Sequence, residues 1–319
     1  FGVRHVVATS TGRAGMTLLL RAMRRLADPR RTEVILPTYT CYSVAASVVK
    51  AGLTPRLVDI SPRTLDYAPE SLAAADYSRA LAIIATNLYG LPNDLPALTR
   101  LARQHGLFLI DDAAQAMGAM VGGRPSGTWG DAGLFSFDKG KNVSAIDAGV
   151  LVIQSDDLAA ALAEEMQGCE PPGVSHSIVH VVKALAYWAL LRPWLYGIPA
   201  RMPGLGLGQT VFTTEYPLAR ADGALIALAA VMMGRLDALT VTRQQNAAAL
   251  LATLQGANLQ TIAPGPATTP VYLRLPLLAA DAQHQASVIA ALTAAGIGAT
   301  RSYPASLADV PDLQPLLAD

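Results

Sequence analysis

Charge is scarce in this sequence. Of 319 residues only 15% are Asp, Glu, Lys or Arg, and 24 acidic side chains balance 24 basic ones. Average domains carry about 25% charge. Without a basic excess the chain is not a general polyanion binder, because affinity for a phosphate backbone depends on one, and nucleic acid is excluded as a partner. A hydrophobic share of 52% excludes intrinsic disorder. Cysteine is nearly absent. Cys41 and Cys169 cannot build a disulfide framework, so reduced thiols in a cytoplasmic protein are the expectation. The N-terminus lacks the basic-then-apolar pattern of a signal peptide, since Phe1 to Thr9 reads as a strand. It also lacks Met, and the natural start is expected upstream.

Long apolar runs are missing as well. The most apolar stretch, Ile178 to Ile198, is interrupted by Lys183, Arg192 and Pro193, whereas crossing a bilayer takes ~20 apolar residues. It reads as a buried or interface helix, with membrane-surface contact through 178–202 as the lesser alternative. His176 and His180 stand four residues apart, a spacing seen in zinc sites. No HExxH motif or cysteine pair accompanies them, so no metal is expected.

What the sequence has in its first half is alternation. Short β-rich runs at Val3–Thr9, Glu33–Pro37, Pro55–Ile60, Ala80–Asn87, Leu107–Asp111, Ala132–Phe137 and Gly149–Gln154 predict seven strands. Val34-Ile35-Leu36 and Ile83-Ile84 are solidly aliphatic, as in strands covered on both faces. Helical periods lie between them. Met16, Leu19, Leu20 and Met23 form one stripe, and Leu95, Leu98, Leu101 and Ala102 another that ends at His105-Gly106. This alternation is an α/β pattern with a mainly parallel sheet, whose ligands gather at the carboxyl ends of the strands. The texture changes near Glu170. Residues 1–170 are predicted as the large domain, 171–255 as a helical connecting region and 256–319 as a small α+β domain. The connecting region contains a Pro/Gly-rich stretch from Pro199 to Gly208 and a helical run over about Ala219–Leu254. The small domain is expected to hold strands at Val271–Leu275 and Ile297–Arg301 around a helix at Ala286–Ala295.

Three features carry chemistry only in combination. The strand Leu107–Ile110 ends on Asp111-Asp112, and alternation across a strand sends one carboxyl toward a ligand and the other away. A second apolar strand delivers Ser136 and then, in a turn, Lys139 and Lys141. A lysine against apolar walls becomes a nucleophile toward carbonyls. Thr9 to Gly15 joins a strand to a helix through hydroxyls and a glycine, an anion cradle that matches neither GxGxxG nor GxxxxGK[ST]. Each alone has an ordinary reading, as capping acids, solvated lysines or a helix N-cap. One cofactor uses all three, pyridoxal 5′-phosphate (PLP), whose phosphate, aldehyde and ring nitrogen want a helix N-terminus, a lysine and a carboxylate.

At these residues the sequence resembles the DegT/DnrJ/EryC1/StrS family of PLP-dependent sugar aminotransferases. Ile110-Asp111-Asp112-Ala113-Ala114-Gln115 is similar to the family's I-E-D-A-A-Q. Gly130 to Phe137 is similar to its G-D-x-x-x-F-S-F, and Lys141-Asn142 to its K-N. Pro37-Thr38-Tyr39-Thr40, Val58-Asp59-Ile60 and Leu88-Tyr89-Gly90 extend the likeness. It implies an aspartate-aminotransferase-like (type I) fold and a homodimer, for which the apolar 178–198 stretch also leaves surface to cover. It further implies amino transfer from an amino acid, glutamate, to a nucleotide-linked keto-sugar, with ping-pong kinetics.

Residue by residue, the resemblance makes Lys141 the lysine that bonds to the cofactor and moves protons, with Lys139 its near neighbour. Asp112 would bind the ring nitrogen, and Gln115 would lie near the ring and its hydroxyl. Ser136, Gly12, Arg13 and Ala14 would hold the phosphate, Cys41 would face the ring, Asn142 would help place the lysine, and Arg220 would contact substrate. There are departures. Arg13 replaces a Thr, Cys41 an aromatic whose stacking would then fall to Tyr39 or Tyr42, and Leu218 an Asn two residues before Arg220. Asp147-Ala148-Gly149 stands for D/E-G-G, and family members are longer at both ends. Sugar dehydratases of the family use His where Lys141 stands, which argues against that reading. A non-catalytic PLP-binding or interaction protein stays open on the departures.

Overall fold

The structure is a computed structural model that describes residues 2–190, 192, 211–256 and 259–318. The Pro199–Gly208 stretch lies outside the described residues. Nine strands organise the first half: β1 His5–Thr9, β2 Glu33–Pro37, β3 Thr54–Val58, β4 Ala80–Thr86, β5 Phe108–Asp112, β6 Met120–Val121, β7 Arg124–Pro125, β8 Ala132–Ser136 and β9 Gly149–Ile153. Seven of them form one sheet in the order β1-β9-β8-β5-β4-β2-β3. Pairing is parallel from β3 across to β8, and β9 runs antiparallel to both its neighbours. The seven predicted strands are those of this sheet. Val34, Ile35, Ile83 and Ile84 are completely buried, as central parallel strands require.

Helices cover the faces. In α1, Gly12–Leu26, the Thr11 hydroxyl caps the first turn by accepting the Ala14 N–H at 3.0 Å, and Arg24 and Arg25 close the last. Arg25 also reaches Glu165 at 3.4 Å, tying α1 to α5, Asp156–Glu165. Helix α2 is Tyr42–Lys50 and α3 is Pro69–Ala74. Helix α4, Leu95–His105, is capped by Asp94 and stopped at Gly106, whose φ of 62° is easily reached only by glycine. The apolar stretch folds as α6, Val174–Leu190.

The run predicted over 219–254 is two helices, α7 Gly223–Met233 and α8 Leu236–Thr253, bent by 60° at Gly234-Arg235. Among the described residues no single helix is long and apolar enough to cross a membrane; the bent pair passes on length and composition. That pair packs on the protein, since Leu236 and Thr240 meet Gly118, and Arg243 donates to the Asn142 carbonyl at 3.1 Å.

The last segment departs from its prediction. Val271–Leu275 and Ile297–Arg301 form no strands. Backbone groups of the first are taken by a turn of the large sheet region, where the Val271 N–H donates to Gly90 O at 3.0 Å and the Arg274 N–H to Tyr89 O at 3.3 Å. The second follows α9, Ala282–Ala294, and the Ile297 N–H turns back to Leu292 O. Short strands form elsewhere: β10 Gln260–Thr261 pairs β12 Leu277–Leu278, and β11 Thr268–Thr269 pairs β6. The chain then returns to the large sheet. Leu307 and Leu313 are fully buried in the core that holds α1 and β2, and Ala318 donates to Pro55 O at 2.9 Å.

Candidate active site

A cavity of about 320 Å³ opens at the carboxyl ends of β4, β5 and β8, against the first turns of α1 and α2. Glycines let its walls approach. A Cβ on Gly12 would stand 3.3 Å from the Ser136 Cβ, and one on Gly149 would meet the Thr11 carbonyl at 2.5 Å, so β8, β9 and the start of α1 are locked together. Gly12, Arg13, Cys41, Asp112, Gln115, Ser136 and Lys141 all line this cavity. Chain segments far apart in sequence thus bring seven of the ten expected residues to one place.

The two adjacent acids separate as strand alternation requires. Asp111 turns inward and is fully buried. It accepts hydrogen bonds from Asn87 Nδ2 at 2.8 Å, the Gly127 N–H at 2.6 Å and the Trp129 N–H at 3.2 Å. Burial nonetheless pushes its carboxyl up to about 6. Asp112 faces the cavity. One of its oxygens accepts the Ala114 N–H at 3.0 Å, and no cation of the described residues pairs with it within 4 Å. Burial raises its carboxyl, while the Ala114 N–H and the charge of Lys141 oppose the rise.

The two lysines separate too. Lys139 is exposed and lies 3.9 Å from Asp138, whereas Lys141 lines the cavity. Gln115 is fixed at both ends of its amide, accepting the Tyr89 N–H at 2.9 Å and donating to the Tyr303 hydroxyl at 2.8 Å. The Arg13 guanidinium sits 4.7 Å from the centre of the Tyr216 ring, which also receives Lys50 at 4.7 Å. Tyr216 is anchored in turn by the Thr17 hydroxyl at 2.8 Å.

Three expected residues and the two candidate stacking tyrosines do not line this cavity. The Ala14 N–H is spent on Thr11, so Ala14 does not line the cavity. Asn142 is buried behind it, with neither atom of its side-chain amide hydrogen-bonded. Arg220 lies away from it because its guanidinium donates to the carbonyls of Cys169 and Met166 at 3.1 and 3.2 Å. Neither Tyr39 nor Tyr42 lines it. The Tyr39 ring meets Tyr303 edge-on at 5.9 Å, and the Tyr42 hydroxyl accepts the Ala305 N–H at 3.1 Å. Leu218 packs against the main core. His180 is hydrogen-bonded to Asp222 at 2.8 Å.

Sequence reasoning missed Asn87, Asp138 and Tyr303, and gave Asp147 no role beyond its place in the Asp147-Ala148-Gly149 motif. Asn87 and Asp147 line the cavity, and Tyr303 is the partner of Gln115. Burial, followed by the charge of Asp138, pushes the Asp147 carboxyl up to about 6. Asn87 and Asp138 carried a signal, their places just past the carboxyl ends of β4 and β8, and Asp147 carried its place in a motif.

The donor set fits PLP. Among the first N–H groups of α1 only that of Ala14 is taken by the side-chain cap, leaving those of Gly12 and Arg13 without intrahelical partners at the cavity wall. Ser136 and Arg13 stand beside them for a phosphate. The buried, unpaired carboxylate of Asp112 suits a protonated ring nitrogen, and Lys141 an aldehyde.

Residues 1–316 match the model of the DegT/DnrJ/EryC1/StrS aminotransferase family. The chain is 38% identical over 181 residues to a UDP-N-acetyl-3-dehydro-alpha-D-glucosamine 3-aminotransferase of Acidithiobacillus ferrooxidans, covering 57% of this chain and 47% of that protein. It is 33% identical over 220 residues to a GDP-perosamine synthase of Caulobacter vibrioides, covering 69% and 55%. Its fold is similar to that of S. venezuelae DesV, solved in complex with a ketimine intermediate, with a TM-score of 0.75, 25% identity and coverage of 99% and 75%. The chain spans about half the length of the curated relatives it matches. By the family model, the ordered motifs and the fold together, the chain belongs to the DegT/DnrJ/EryC1/StrS aminotransferase family.

Proposed function

We propose that this protein is a PLP-dependent aminotransferase that moves an amino group from an amino acid, glutamate, to a keto-sugar carried on a nucleotide. The observation that carries this reading is the meeting in one cavity of Lys141, Asp112 and the anion cradle of Gly12, Arg13 and Ser136. The relatives named for UDP- and GDP-linked sugars support the substrate class.

PLP, when bound, supplies an aldehyde for amine exchange and a ring that delocalises the electrons left on a deprotonated carbon. The protein does the rest. The N–H groups of Gly12 and Arg13, the Ser136 hydroxyl and the Arg13 guanidinium hold the phosphate. Asp112 would accept from the ring nitrogen and hold a proton there. Lys141 Nζ would hold the aldehyde end and, once free, would serve as the general base for the proton on the donor's α-carbon. Gln115, pinned by Tyr89 and Tyr303, would offer a fixed amide near the ring. The same groups act in reverse order on the ketone of the sugar.

Mixing the PLP-loaded protein with glutamate should bleach the visible band of the bound cofactor and release one equivalent of 2-oxoglutarate. Subsequent addition of a keto-sugar nucleotide should restore the band and yield the amino sugar by mass. A protein that binds PLP and releases no 2-oxo acid from any amino acid would be a binding protein instead.

A further inference from the structure

Helix α6 is the least covered apolar element of the structure. None of its residues is buried. One side is held in place, where His180 bonds Asp222 at 2.8 Å and Ser177 also reaches that carboxylate, with Ala184 and Tyr187 half-buried on the same side. The opposite side carries Val174, Ile178, Val182 and Leu185 at i, i+4, i+8 and i+11, exposed by 79, 60, 59 and 61%. Trp188, 63% exposed, follows at the end, with the Arg192 guanidinium stacked 4.5 Å from its ring centre. A side of this size left open on water marks a contact surface.

Charge selects the occupant. From 171 to 214 the sequence holds no Asp or Glu, whereas it holds Lys183, Arg192 and Arg201, in a chain whose total charge is zero. A second copy docked on this side about a twofold axis would bring each patch onto its own image and set these cations against their counterparts, with no carboxylate in the segment to separate them. An anionic bilayer surface complements them. Exposed aliphatic side chains with a Trp–Arg pair at one end suit the boundary between acyl chains and headgroups. Lys183 in the middle of the helix suits lying on a bilayer and opposes crossing it. We infer that α6 is a membrane-surface helix whose Val174–Leu185 stripe and Trp188 enter an anionic lipid leaflet, with Lys183 and Arg192 on the headgroups.

The test is flotation of the PLP-loaded full chain with vesicles of equimolar phosphatidylglycerol and phosphatidylcholine, and with phosphatidylcholine alone. The wild type should float with the first, fall off in high salt and ignore the second. Lys183→Glu and Arg192→Glu should each weaken partitioning roughly five-fold or more, and the double variant Val182→Asp/Leu185→Asp should abolish it. All of these side chains are exposed, so melting temperature and solution mass should stay at their wild-type values. Failure of the wild type to float with anionic vesicles overturns the inference, as does undiminished flotation of the double variant. A solution mass that halves in the double variant assigns this side to a second copy. Lys183→Glu alone decides the matter if the double variant does not fold.

Discussion

Asp111 and Asp112 are neighbours in the chain, both buried, with different tasks. Asp111 takes four hydrogen bonds, from Asn87, Ser126, Gly127 and Trp129, whereas Asp112 keeps its free side toward the cavity. Asp111→Asn would place an amide where donors converge and should cost about 1–3 kcal/mol in urea unfolding. Asp112→Asn should not lower the stability of the cofactor-free protein, since burial already disfavours the charged carboxyl, and should lower turnover, read as a fall in kcat with PLP held at saturation.

Asp147 supplies a pH signature. Its folded carboxyl holds a proton up to about pH 6 against an ordinary value of 3.8. Stability from this group is therefore lost as pH rises between those values, and the loss is complete above pH 6. Asp147→Asn should stabilise the cofactor-free protein by up to about 3 kcal/mol at pH 8 and by nothing below pH 4, measured by thermal melts across pH. At this scale the sequence was legible where side-chain alternation or a motif applied, as for Asp112, Ser136 and Lys141. It was silent on Tyr303 and on any site role for Asp147, because their burial depends on tertiary packing. It did not tell that Ala14, Asn142 and Arg220 lie outside the cavity lining, the first and last with groups already hydrogen-bonded elsewhere.

Strand β8 is the element that makes the site. It ends on Ser136, and the turn after it presents Lys141 to the cavity and Lys139 to water. Its position depends on Gly133, where a Cβ would lie 1.8 Å from the Gly127 carbonyl. The Gly127 N–H in turn binds Asp111. Gly133→Ala must push two backbone segments apart and should cost ~3 kcal/mol or more, seen as a lower urea midpoint together with weaker PLP binding. Sheet strands were readable because both faces are covered and the aliphatic runs are unbroken. Val271–Leu275 alternates apolar residues with Tyr272 and Arg274 and forms no strand, since its backbone partners belong to the Leu88–Gly90 turn, a long-range contact that no local pattern encodes.

Over the whole molecule the last residues belong to the first core. Leu307 and Leu313 are buried with α1 and β2, while Tyr303 bonds the cavity residue Gln115. Leu307→Ala should therefore lower the stability of the entire protein by about 2–5 kcal/mol in one cooperative transition. A second, independent transition would show instead that the C-terminal segment melts alone. The low charge noted in the sequence has two destinations. One is a sheet buried on both faces, and the other is the open side of α6.

Borohydride reduction of the PLP-loaded protein, followed by peptide mass mapping, examines the site most directly. The expected result is one reduced pyridoxyl adduct per chain on Lys141, with no visible cofactor band in Lys141→Ala. An adduct on Lys139, or a Lys141→Ala protein that keeps both its band and its borohydride-fixed adduct, would contradict the placement of the chemistry at Lys141.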